Sequence, residues 1–351
     1  MFRDSNEKKT DIATLGEFGL IDRLTEGIVH RQPTTIKGVG DDAAVIDTGE
    51  KYLLVTKDLL LEGIHFDLTY YPLSHLGYKA ISVNISDICA MNGTPHQVVV
   101  GIGLSSRFPL EAVEELYKGI YAACEKFGVD LVGGDTTSSV QGLVLSVTAL
   151  GTVDKDKVVY RSGAHEGDLL CVSGDLGGAY AGLLVLEREK AVFKANPEMQ
   201  PDLEGHDYIL ERQLKPEARM DIVRMLADLG VKPTSMIDIS DGLASEIKHL
   251  SKHSDIGCAV YEEKIPIDQS TYDTARSFKM DPTTYTMNGG EDYELLFTIT
   301  PDDYEKVKNL PEITVIGHMT EKNEGVRLIT RSGPVVPIEA QGWDHLKEES
   351  K

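Results

Sequence analysis

The 351-residue chain predicts two α/β domains, in the broad sense that includes α+β, and three observations carry that reading. The length exceeds what a single hydrophobic core usually serves. Apolar strand-like runs alternate with helix-period segments in one pass and then again in a second. Between the passes "DKDKVVYRSGAHEGD" turns polar and loop-like, which sets a boundary after residue 153: one domain over 1–153, the other over 154–351.

Each element has a local reason. "KYLLVTKDLL" is an apolar strand, and "KAISVNISDICAMNG" sets Ile81, Ile85 and Ile88 at helical spacing before stopping at Asn92-Gly93, ahead of Pro95. "HQVVVGIGL" reads as a strand. The helix "PLEAVEELYKGIYAACEKFG" opens on Pro109, lines one face with Val113, Leu116, Ile120, Cys124 and Phe127, and ends at Gly128. "VDLVGGDTT" and "GLVLSVTALGTV" are strands around a glycine turn. In the second pass "DLLCVSGDLGGAYAGLLVLE" is strand, glycine turn and helix, and Lys190 to Asp207 reads as a surface excursion. "MIDISDGLASEIKHL" is a short strand feeding a helix with Leu243, Ile247 and Leu250 on one side; "GGEDYELLFTITP" and "EITVIGHM" supply closing strands.

Composition removes several function classes. A formal charge of −22 argues against a nucleic-acid partner, and a phosphorylated substrate could approach only through metal ions or a locally basic pocket. No apolar run reaches the length of a signal peptide or a membrane span. Cys89, Cys124, Cys171 and Cys258 form no CxxC pair and read as packing residues of a reduced, cytoplasmic protein.

Acids recur in one context. Asp41 and Asp42 lie in the glycine loop "KGVGDDAAVI", Asp58 at the end of a strand, Asp87 one helical turn from Asn84, and Asp135 after Gly133-Gly134. Asp238 and Asp241 flank a strand-to-helix junction, and Glu291-Asp292 follow Gly289-Gly290. A single aspartate in a glycine turn is usually a turn former or a helix cap. Strand-end acids from separate segments can instead converge where α/β sheets bind ligands. With no His or Cys interleaved, such a set suits Mg²⁺ rather than zinc, and of the Asp41-Asp42 pair Asp41 is expected to point inward.

Other motifs fail. "GVGDDA" matches a dinucleotide fingerprint formally, but two carboxylates would face the pyrophosphate. A Walker A loop is excluded because Gly-Lys occurs nowhere, and neither a G-x-S-x-G elbow nor protein-kinase signatures are present. His249 and His253 have zinc-like spacing beside Lys248 and Lys252, which marks a solvated face. Trp343 is the single tryptophan, and composition favours a packing role for it.

Taken in order, "GEFGLI", "GVGDDAAVI", "LLLEGIHFD", "NISDICAMNGTP", "LVGGDTT", "YRSGAHEGD", "DISDGL", "NGGEDYEL" and "GWDHL" resemble the thiamine-monophosphate kinase family, of the aminoimidazole-ribonucleotide-synthetase-like ATP-binding superfamily. The matches run from residue 16 to residue 346; "EGIHFD" and "GWDH" narrow the superfamily to this family. The resemblance implies ATP-dependent phosphorylation of thiamine phosphate to thiamine diphosphate with several Mg²⁺ ions, in a homodimer joined through the N-terminal domains. It implies metal binding at Asp41, Asp58, Asp87, Asp135, Asp238 and Asp241, with Thr56 beside them. It implies ATP contacts from Gly134, Asp135, Arg161, Ser240 and a helix tyrosine, Tyr117 or Tyr121, and a thiamine phosphate pocket lined by His65, Glu291 and Trp343. One departure is Lys57, where relatives usually carry a small hydroxyl residue; it bears on the number of metal ions. Two alternatives stand beside this reading: another ATP-using enzyme of the superfamily, or a nucleotide-binding module without turnover. A selenophosphate synthetase would carry a reactive Cys near its N-terminus, and none exists here.

Overall fold

Every residue from Leu76 to Ser86 is buried, on all sides of one helix, and that helix organises the molecule. A helix buried all round must lie between two layers. The computed structural model describes residues 14–339. They begin with α1 (Gly16–Thr25), followed by β1 (Thr35–Lys37), β2 (Ala44–Asp47) and β3 (Lys51–Leu61). The all-buried helix is α2 (Leu73–Ala90); β4 (Thr94–Leu104), α3 (Leu110–Phe127), β5 (Asp130–Ser138) and β6 (Val144–Asp154) complete the first unit.

These six strands form a sheet in the order β1-β2-β3-β6-β4-β5, antiparallel except for β4 and β5, which α3 joins in parallel. Side chains alternate along it: Leu54, Thr56 and Leu60 of β3 are buried, while Lys57, Leu59 and Leu61 are exposed. The buried face carries α2 and α3. These two helices pack backbone to backbone at glycines, since a Cβ on Gly77 would fall 2.0 Å from the Leu116 carbonyl oxygen and one on Gly119 1.8 Å from that of Ser74. The opposite face of the sheet has no layer over it within this chain, among the described residues.

The second unit runs β7 (Leu169–Ser173), α4 (Gly178–Ala195), α5 (Asp207–Leu214), α6 (Met220–Asp228), β8 (Ser235–Asp238) and α7 (Leu243–Ser254). It continues with β9 (Gly257–Tyr261), α8 (Gln269–Ser277), α9 (Pro282–Asn288), β10 (Leu295–Ile299), α10 (Tyr304–Val307), β11 (Ile313–Thr320), β12 (Val326–Ile329) and β13 (Val335–Pro337). The sheet order is β13-β12-β9-β11-β7-β10-β8, so β8 is an edge strand, and it lies against α2. One apolar core runs through the junction, from Ile81, Ile85 and Ile88 of α2 to Met220, Ile222, Met236 and Phe297.

Three sequence expectations need correction. The surface excursion begins only after Ala195, because α4 extends there with Glu189 buried beneath it. Asp58 is not at its strand's end, since β3 runs on to Leu61. Asp135 lies inside β5, which passes through Gly133 and Gly134 as a paired strand, not a turn, because β4 pairs with it from Gln97 to Leu104, with one register shift between Val98 and Val99.

Candidate active site at the domain junction

Two polar stripes on α2 build the site. Lys79, Ser82 and Ser86, spaced by three and four residues, share one face and reach into the second unit. Lys79 donates to Glu291, Ser82 accepts from the Ala218 N–H at 3.0 Å, and Ser86 donates to Asp238 Oδ2 at 2.6 Å. Asn84 and Asp87 face β3: Asn84 accepts from the Asp58 N–H at 3.1 Å, and Asp87 accepts from the Thr56 hydroxyl. One helix therefore sets acids of both sheets around itself.

Asp42, Asp87 and Asp238 each offer a ligand oxygen, and these oxygens lie within 4.8 Å of one another. Asp42 comes from the β1–β2 loop, Asp87 from the last turns of α2, and Asp238 from the final residue of β8. Burial, then the charge of Asp42, raise Asp238 to about 7, with Ser86 and Arg161 opposing. Burial also pushes Asp87 well up, reinforced by Asp58, Asp238 and Asp42, and lifts Asp58 to about 6. Oδ2 of Asp42 is buried without a hydrogen-bond partner. Crowded hard oxygens, one of them orphaned, fit a divalent cation such as Mg²⁺.

The adjacent acids Asp41 and Asp42 divide their work. Both side chains point inward, and it is Asp42 whose ligand oxygen lies with those of Asp87 and Asp238. Asp41 accepts from the Arg161 N–H at 2.8 Å and lies 3.3 Å from Lys37, while burial raises its carboxyl. Both carboxylates accept hydrogen bonds from Arg161, Asp41 from its backbone and Asp42 from its guanidinium, so the two acids converge on one residue. Arg161 binds Asp42 through Nε at 3.2 Å and Nη2 at 2.7 Å. Lys57 points to the other face of β3, where its ammonium meets the Ser146 hydroxyl, away from Thr56 and Asp58.

A cleft of about 450 Å³ is lined by Val100, Tyr117, Leu131 and residues 132–136, which brings Tyr117, Gly134 and Asp135 together; Tyr121 is not among its walls. Gly134 has a steric reason: a Cβ there would fall 2.0 Å from the Val100 carbonyl oxygen. Ser240 and Asp241 follow β8, with the Asp241 N–H held by Glu246 at 2.9 Å and the Ser240 carbonyl accepting from the Glu291 N–H at 2.7 Å. His65 lies beyond β3, its Nδ1 accepting from the Leu61 N–H at 3.1 Å. Its loop is tied to α4 by Asp67 to Lys190 at 2.9 Å and Tyr70 to Glu187 at 2.8 Å. Glu291 is tied to α2 through Lys79, and Trp343 lies outside the described residues. The sequence reading missed Lys79, Ser82 and Ser86; polar residues inside an otherwise apolar helix were the available signal.

Two such units place the chain among the AIR synthase related proteins. The family model for their N-terminal domain matches residues 40–153 and that for their C-terminal domain residues 165–329. Within that class the chain belongs to the thiamine-monophosphate kinase family. It is 32% identical over 340 residues to the thiamine-monophosphate kinase of Bacillus subtilis (strain 168), covering 95% of this chain and 100% of that relative. Over 332 residues it is 34% identical to the one from Aquifex aeolicus (strain VF5), covering 95% and 98%. Among solved structures, AaThiL complexed with AMPPCP and TMP superposes with a TM-score of 0.83 at 32% identity, covering 97% of this chain and 100% of that one. The fold alone is shared with the E. coli hydrogenase maturation protein HypE, at 18% identity and a TM-score of 0.69, over 93% and 97%.

Proposed function

We propose that this chain transfers the γ-phosphoryl group of ATP directly to thiamine phosphate, yielding thiamine diphosphate and ADP, with Mg²⁺ held at the domain junction. The observation that carries the reading is the trio Asp42, Asp87 and Asp238, three carboxylates from three segments with ligand oxygens within 4.8 Å. Bound there with help from Asp58, Mg²⁺ would supply the positive charge that two polyanions need in order to approach.

The rest falls to the protein's own groups. The attacking atom is a phosphate oxygen of thiamine phosphate; as it bonds to the γ-phosphorus, the bond to the β,γ-bridging oxygen breaks and ADP leaves. A phosphomonoester with a second pKa near ~6 already has that oxygen free of its proton at neutral pH, so no general base is required. Positioning remains. In this reading Tyr117, Gly134, Asp135, Arg161 and Ser240 seat ATP, and His65, Glu291 and Trp343 seat thiamine phosphate. Arg161 orients Asp42 through two hydrogen bonds, and Thr56 orients Asp87 through one. Asp41 keeps the Arg161 backbone in place. Residues 1–153 and 154–351 act as the two halves of the site.

The uncovered face of the first sheet, with Leu59, Leu61 and Val132 exposed, supports a homodimer through the N-terminal units. Four free, buried cysteines suit the reducing cytoplasm, and no helix among the described residues is long and apolar enough to cross a membrane. Incubation with ATP, Mg²⁺ and thiamine phosphate, with thiamine diphosphate followed by chromatography, tests the proposal. Product that requires all three supports it; ATP binding without product overturns it.

A further inference from the structure

We infer that Lys79 is a positioning residue for the phosphate acceptor: its buried ammonium fixes the Glu291 carboxylate and, through it, the turn that joins α9 to β10. The inference rests on the proposed function, in which Glu291 contacts thiamine phosphate. The Lys79 side chain is only 1% exposed, and an ammonium that deep needs a charged acceptor. It gives both Glu291 carboxylate oxygens a hydrogen bond at 2.7 Å. Gln213 adds a third donor at 2.9 Å, and the Tyr71 ring lies under the ammonium at 5.6 Å from its centroid. Tyr71 in turn donates to the Gln213 carbonyl at 3.1 Å, which closes the cage.

Glu291 keeps 30% of its side chain exposed, so its inner side is satisfied while an edge stays open to a ligand. The turn does not hold itself. Gly290, Glu291 and Tyr293 have φ of +87°, +61° and +52°, left-handed values that L-residues disfavour. A Cβ on Gly290 would fall 2.4 Å from the Ser240 carbonyl oxygen, the same oxygen that accepts from the Glu291 N–H. Lys79 thus reaches across from α2 to hold two loops of the second unit. The pair is neutral in sum, so Glu291 adds no net charge beside the acid trio. Its carboxylate is an aimed acceptor for a ligand N–H, such as that of an aminopyrimidine, not a metal ligand.

Steady-state kinetics of Lys79→Met, Glu291→Gln and the double variant test this, with Tyr78→Phe as a control on the same helix, where Tyr78 donates to Glu217 at 2.7 Å. The expected result is a thiamine phosphate KM raised about tenfold in each single variant and no further in the double, with the ATP KM within about twofold. Tyr78→Phe, which loses only the Glu217 bond, should lower Tm and leave both KM values in place. An unchanged KM in Lys79→Met, or a roughly hundredfold rise in the double variant, overturns the inference while parent turnover upholds the functional reading. The double variant buries no unpaired charge, so it keeps the test open if Lys79→Met alone folds poorly. Failure of the unsubstituted chain to turn over thiamine phosphate would overturn the functional reading, and this inference with it.

Discussion

Replacing Asp238 with Asn should make the metal-free protein more stable while removing its response to Mg²⁺. The change is nearly isosteric, and Asn can still accept the Ser86 hydrogen bond of 2.6 Å. Two unit charges 4.8 Å apart repel by about 3.5 kcal/mol at an effective dielectric near 20. Asp238 is raised from 3.8 to about 7, first by burial and then by Asp42, equivalent to about 4 kcal/mol of which the repulsion is only a part. Asn must still be desolvated and loses the attraction of Arg161, so a realised gain of roughly 1–3 kcal/mol is expected, a Tm rise of about 1–4 °C. The pH dependence has a definite sign. The unfolded chain releases this proton near 3.8 and the folded one near 7, so between those values the folded state binds more protons and stability falls as pH rises. Thermal melts of both proteins at pH 5 to 8, in a chelator and then with excess Mg²⁺, provide the assay. The parent should lose stability toward pH 7 and regain it with Mg²⁺; the variant should do neither to the same degree. A variant that melts below the parent in chelator at neutral pH, or shows an equal Mg²⁺ increment, would refute the electrostatic account of the trio.

Gly134→Ala forces a Cβ to within 2.0 Å of the Val100 carbonyl oxygen; the ATP KM should rise about tenfold or more, and calorimetry of an ATP analogue that binds unchanged would count against the cleft. Gly119→Ala should cost about 2–3 kcal/mol in urea unfolding, because its Cβ would meet the Ser74 oxygen at 1.8 Å and part α2 from α3; a loss below about 0.5 kcal/mol would show that the helices can slide. Lys190→Met removes the tie to Asp67 that holds the His65 loop at 2.9 Å, so the thiamine phosphate KM should rise about threefold to tenfold; faster proteolysis or exchange in residues 62–71 without a KM change would detach that loop from the substrate.

Much of this could be read from the chain because short-range chemistry decided it. Pro109 and Gly128 bracket α3, with Gly128 in the left-handed conformation at its end. The Asn84–Asp87 face of α2 followed from spacing alone. What could not be read depends on long-range packing. That both neighbouring acids turn inward, with Asp42 beside Asp87 and Asp238, depends on Arg161, which bonds both and lies 119 residues from Asp42. The continuation of β5 through two glycines depends on pairing with β4, whereas locally Gly-Gly resembles a turn. The burial of Lys79 depends on the second unit, which closes over its helix and supplies Glu291.

Because α2 is enclosed by apolar and polar partners from both units, neither half owns it. Cutting the chain near residue 153 would strand an insoluble helix face on one fragment and leave the other without a floor. A calorimetric scan should therefore show one endotherm instead of two. Heredity is constrained in the same way: a change on that helix is judged at once by the sheet beneath it, the sheet beyond it and the acids at its tip.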